Sequence, residues 1–271
     1  MRSLQTGFLS LLFVLLISGS TAAQPVTQAP ARSGDYVAVD WNKPVFSVPT
    51  VFESLSSAAF VSGRVSINKT VRLVADLPFG YGAIDANYVS SDQYISDVGL
   101  GNPYIGIEYA SGHHFLLESG VRLPINTVDK APLASVIGQI AVTNRVMAFV
   151  PDYLTMYAVG NYVHTLEDSP IEFRLRGGPA FALFTGDASG SNEMLAIIDL
   201  GGWYVGETYE LGVGYSSRVV LGEDAQSELG VSGFARVKGV YPGLTLGVPV
   251  GDGLRDSVSF ILGATIRVPI N

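Results

Sequence analysis

From residue 50 onward the chain repeats one unit, about ten residues apolar at every second position and then a short polar break. The segment 70–79 shows it most clearly. Val71, Leu73, Ala75, Leu77 and Phe79 fall on one face, and Thr70, Arg72, Val74, Asp76 and Pro78 on the other. A period of two is that of a β-strand. The same alternation predicts strands over 55–67, 98–110, 114–125, 153–164, 171–184, 194–205, 209–221, 227–238, 244–250 and 257–270, and more weakly over 36–45. The breaks between them are built from Gly, Asp, Asn, Ser and Pro, as turns are.

What distinguishes these strands is the second face. One side is Leu, Val, Ile, Phe and Tyr, and the other mixes Arg, Glu, Asp, Gly and Pro. Transmembrane barrels have this pattern, apolar toward lipid and polar toward the lumen. The fold class predicted is all-β, an antiparallel up-and-down transmembrane barrel of about 12 strands, within a range of 10–14. A soluble β-sandwich, the competing architecture, accounts less well for charges on the inner face, because sandwich cores exclude unpaired Arg and Glu.

One stretch breaks the period. Leu133, Val136, Ile137, Ile140, Ala141, Met147 and Ala148 recur at spacings of three and four, which predicts an amphipathic helix; Val142 and Val146 leave a strand open there. An even strand count puts both chain ends and the turns near residues 68, 112, 168, 206 and 240 on the periplasmic side. Loops 80–97 and 127–151, the latter with its helix, then fall on the external side.

The first residues predict export. Arg2, an apolar core from Phe8 to Ile17 and the small residues Thr21, Ala22 and Ala23 match a signal peptide over 1–23. A flexible Pro/Ala lead-in over 24–35 follows, and then the barrel over 36–271. Hydrophobic residues make up 48% and charged ones 15%, with a mean hydropathy of +0.34. Beyond the leader no apolar run is long enough for a spanning helix. A net charge of −8 argues against a nucleic-acid partner, and the absence of cysteine excludes disulfides and thiolate chemistry.

Read this way, the inner face carries Arg64, Arg72, Asp76, Glu108, Glu118, Arg122, Glu172, Arg174, Arg176, Glu210, Arg218, Glu228, Arg236 and Arg267, with Asp199 less firmly placed. Both signs are present in near balance. They either line a path for a polar or charged solute or fill the bore with ion pairs. The acidic excess falls on loop candidates such as Asp85, Asp97 and Asp187. Inward glycines, among them Gly106, Gly120, Gly212 and Gly247, leave room for large neighbours to lie flat against the wall. Pro78, Pro124, Pro249 and Pro269 predict strand ends or bulges.

Catalytic signals are thin. His113 and His114 share a turn without further metal ligands, and His164, Asp168 and Ser169 crowd one turn, which prevents triad geometry. The expectation is therefore no catalytic residues, no metal and no cofactor, and a protein that is not an enzyme, with an outer-membrane hydrolase as an alternative. The expected partners are outer-membrane lipid, the barrel assembly machinery and a small solute.

The run from Leu100 to Tyr109, then Glu118 to Pro124, together with Arg72 to Phe79, resembles bacterial outer-membrane barrels of the loosely defined phenol-degradation MetA-pathway and putative-transporter group. The resemblance implies a barrel and passage of a small solute, and it carries over no site residue. The chain departs from the usual aromatic end of such barrels, finishing Pro269-Ile270-Asn271. The functional expectation is a narrow channel or transporter for a small polar or anionic solute. Its alternatives are a structural or adhesive barrel shut by lumen ion pairs, and a secreted binding sandwich.

Overall fold

The computed structural model describes residues 34–47, 52, 54–85, 95–111, 114–125, 127, 130–187, 190–221, 225–250 and 254–270. The leader 1–23, most of the lead-in, His113 and much of loop 80–97 lie outside the described residues.

The alternating segments form β1 (Tyr36–Phe46), β2 (Ser57–Ser66), β3 (Val71–Ala83), β4 (Ser96–Leu100), β5 (Tyr104–Ser111), β6 (Phe115–Arg122), β7 (Tyr153–Thr165), β8 (Ile171–Phe184), β9 (Glu193–Val205), β10 (Tyr209–Val220), β11 (Gln226–Ala235), β12 (Tyr241–Pro249) and β13 (Val258–Pro269). Each pairs antiparallel with its neighbour, and β1 pairs with both β2 and β13. The sheet is closed. β4 and β5 lie end to end along β3, with Phe79 opposite Leu100 and Arg72 opposite Glu108, so the circuit holds twelve strands and one extra segment. Closure leaves no sheet edge to satisfy inside a bilayer, and it removes the sandwich alternative.

The outer face is apolar and open. Val65, Leu73, Ile105, Ile107, Leu117, Leu175, Leu200, Val213 and Val231 are all exposed there. The termini and short turns gather at one end. At the first of these turns the Asn68 side chain accepts the N–H groups of Thr70 and Val71, each at 2.9 Å, which is ordinary turn chemistry.

Two local expectations are corrected. Pro78 does not end its strand: β3 runs on to Ala83, and Gly80 and Gly82, read as loop, lie in the wall. Nor is the 98–110 strand continuous. It breaks at Gly101, Asn102 and Pro103, where the Asn102 N–H turns away from the sheet to donate to the Ala148 carbonyl at 2.6 Å.

The break and the glycines have one cause. The loop after β6 folds into the bore. It carries α1 (Pro132–Ala141) and a 3-10 run, Thr143–Ala148. The helix matches the three- and four-residue spacing, but its apolar face meets the barrel interior. A Cβ on Gly80 or Gly82 would collide with the backbone of Ala134 or Leu133, and one on Gly99 would reach Ala131 Cβ at 2.9 Å. Ala134, Ile137 and Ala141 are buried. Phe149 stacks edge-on against Phe60 of β2 at 5.9 Å and fills the space left by Gly138. Met147 packs on the other wall with Val159, Ala180, Ala182, Leu195 and Ile197.

Candidate functional site

The inner face of the barrel, with the loop folded into it, forms the one polar interior among the described residues, and its chemistry falls into three levels. Nearest the short turns, Glu108 on β5 pairs with Arg72 at 2.8 Å and with Arg64 at 3.4 Å. Arg236 pairs with Glu210 at 2.7 Å, and Arg174 lies between Glu172 and Glu210. Rings separate these cations. Arg64 and Arg267 both lie over Tyr36, Arg267 also lies against Phe234, and Arg174 is 4.3 Å from the Trp203 ring. Stacking of guanidinium on aromatic faces is favourable when both are desolvated. Trp203 lies flat because its neighbour across the ladder is Gly212, where a Cβ would meet the indole. This level lies at the end of the barrel that carries the short turns.

At mid-bore, Arg176 of β8 joins two carboxylates, Glu118 at 2.7 Å and Asp199 at 3.8 Å. Tyr104 donates to Glu118 at 2.8 Å, with its ring in the space kept by Gly106 and Gly120. Arg218 reaches Asp199 at 3.2 Å, and Ser216 donates to the same carboxylate. Glu228, nearly fully buried, lies against Gly247. Asn161 Nδ2 beside Arg176 and Thr155 Oγ1 opposite Arg122 have no hydrogen-bond partner in the protein. Buried polar atoms of this kind are met by water or by a solute.

At the opposite end of the bore the loop supplies the key group. Arg145 bridges Asp40 of β1 and Asp76 of β3, at 3.3 Å to each. Arg122 pairs with Asp76 at 3.0 Å and donates to the Asn102 carbonyl at 2.6 Å. The Asn102 side chain donates to the carbonyls of Met147 and Val150, which ties the loop to the wall. Asp97, expected on a loop, instead accepts the first N–H groups of α1.

The structure thus places the inward candidates of the sequence on the bore side and pairs most of them across strands. Sequence reasoning missed Asp40, Asn102 and Arg145. Asp40 sits in the weakest strand, and Arg145 sits in a loop whose inward path no period records. His114 and His164 are exposed near the rim that carries the short turns, with rings 6.1 Å apart beside Tyr162. A depression of about 810 Å³ on the lipid side, around Gly202, Leu211 and Leu246, is apolar and has no part in this polar interior.

No family model matches the chain, and no curated protein matches it. Solved structures do. LpxR from Salmonella typhimurium overlays with a TM-score of 0.55 at 7% identity, covering 87% of this chain and 100% of that one. The β domain of the Bordetella autotransporter BrkA overlays at 0.50 with 14% identity, covering 88% and 100%. The CymD monoaromatic hydrocarbon channel reaches 0.44 at 8% identity over 89% and 90%, too loose to support an argument. These likenesses establish an outer-membrane β-barrel fold and nothing finer, and none of them singles out the phenol-degradation group. They also correct one expectation. LpxR is an outer-membrane enzyme on the same fold, so the thin catalytic signal does not make this chain a non-enzyme.

Proposed function

We propose that the protein is a gated outer-membrane channel for small polar solutes. It would be exported on the 1–23 leader, inserted by the barrel assembly machinery and held in lipid by its apolar wall. One observation carries this reading. The element folded into the bore is a loop whose polar ties to the wall run through Arg145 and Asn102, while charged side chains line the wall on either side of its apolar seat. A barrel that served only as a scaffold has no need of a detachable stopper. Because carboxylates stand beside arginines at every level, the lining suits a polar or zwitterionic solute better than a bare anion.

Planar-bilayer conductance tests it. The native barrel should be closed for most of the record, and Gly82→Leu, which removes the helix seat, should raise the open fraction at least tenfold. A silent bilayer from a Gly82→Leu barrel that still shows folded, heat-modifiable migration sinks the channel reading. It would favour the structural alternative, for which the arginine–aromatic level at the periplasmic end is the supporting observation.

A further inference from the structure

We propose that Asp40, Asp76 and Phe60 form a guanidinium-recognition site at the external end of the bore, and that Arg145 occupies it as a tethered stand-in for a soluble cation. The class of ligand is the guanidinium end of a small polar solute. The inference rests on the channel reading for its biological sense, but the binding site is argued from geometry alone.

The three receiving groups belong to the wall. Asp40, Phe60 and Asp76 come from the consecutive strands β1, β2 and β3, with Asp40 opposite Phe60 and Asp76 opposite Ser62 in the ladders. Each carboxylate is held by the barrel independently of the loop. Thr265 donates to Asp40 at 2.7 Å, and Ser62 and Arg122 hold Asp76 at 3.1 and 3.0 Å. Phe60 is fully buried, and its ring face lies 4.3 Å from the Arg145 guanidinium carbon. Two acceptors on one side and an aromatic face on the other are the recognition elements of a planar cation.

The occupant, by contrast, belongs to the loop. Arg145 sits where the 3-10 run is interrupted, at φ −129° and ψ 33°. Its contacts to Asp40 and Asp76 are 3.3 Å each. A free ligand must displace this tethered neighbour, whose effective concentration is in the millimolar range for a short tether. Withdrawal of Arg145 leaves Asp40 and Asp76 with Arg122 and the neighbouring Arg267, so the carboxylates lose the one cation that bridges both.

Binding of methylguanidinium to detergent-folded barrel, followed by calorimetry and by thermal shift, tests the site. Arg145→Ala should bind one equivalent saturably, at least tenfold more tightly than the native chain, and tetramethylammonium, which has no N–H donors, should not compete. Adding Asp40→Asn should weaken binding at least tenfold. Arg145→Gln keeps a stem over Phe60 and serves if the alanine variant does not fold. No binding in either variant, or binding unchanged by Asp40→Asn, overturns the proposal. Binding by a barrel that never conducts would overturn the channel reading and leave the site standing.

Discussion

The carboxylate of Asp97, on strand β4, accepts the backbone N–H of Ala134 at 2.6 Å and that of Leu133 at 3.0 Å. The helix inside the barrel is therefore capped by the barrel wall. Its own preceding residue, Ala131, makes no side-chain cap, and Pro132 at its start lacks one of the orphan donors.

Asp97→Ala should loosen α1 without unfolding the sheet. Loss of a cap costs about 0.5–2 kcal/mol, and here that cost falls on loop docking. Hydrogen exchange should speed up across 132–141 while the strands stay protected. Equal loss of protection in β3 and β5 would show that the cap also holds the wall.

Glu108 serves two arginines, Arg64 and Arg72, and is almost wholly buried. Glu108→Ala removes the carboxylate they share. Breaking a buried pair costs about 3–5 kcal/mol, so the temperature of heat-modifiable unfolding should fall clearly. Adding Arg64→Met should recover part of the loss; a double variant no better than the single one contradicts this account.

Gly212→Val should displace Trp203, whose ring occupies the space of the missing side chain. Overpacking costs about 1–3 kcal/mol. Because Trp203 is buried and lies against Arg174, its fluorescence should shift to the red as water reaches it. An unchanged spectrum would show that the indole does not depend on that glycine.

Ile198, exposed on the outer face of β9, faces the lipid. Ile198→Arg should cost about 2–4 kcal/mol near the midplane, whereas Ile270→Arg at the rim should cost about 0–1 kcal/mol. Urea titration of folding into vesicles measures both. Equal costs would place the membrane elsewhere along the wall.

The strands were legible in the sequence because a barrel wall has two solvents, lipid outside and a polar bore inside, and a period of two records both along each strand. Arg64, Glu118 and Arg176 could be assigned to the inner face on that alternation alone. Partner choice could not. Arg176 meets Glu118, two strands away, because the curvature of the closed sheet brings their side chains together across the bore. The loop shows the same division more sharply. Its spacing of three and four predicted a helix with one apolar face after Pro132 and left a strand open there; the helix forms over Pro132–Ala141. Only closure of the barrel decided that this face turns inward, since Gly80, Gly82 and Gly99 become a seat for it once β3 and β4 stand side by side. Asp40, Asp76 and Arg145 are far apart in the chain, and they become neighbours because the closed ring of strands provides a buried space in which their charges must be paired.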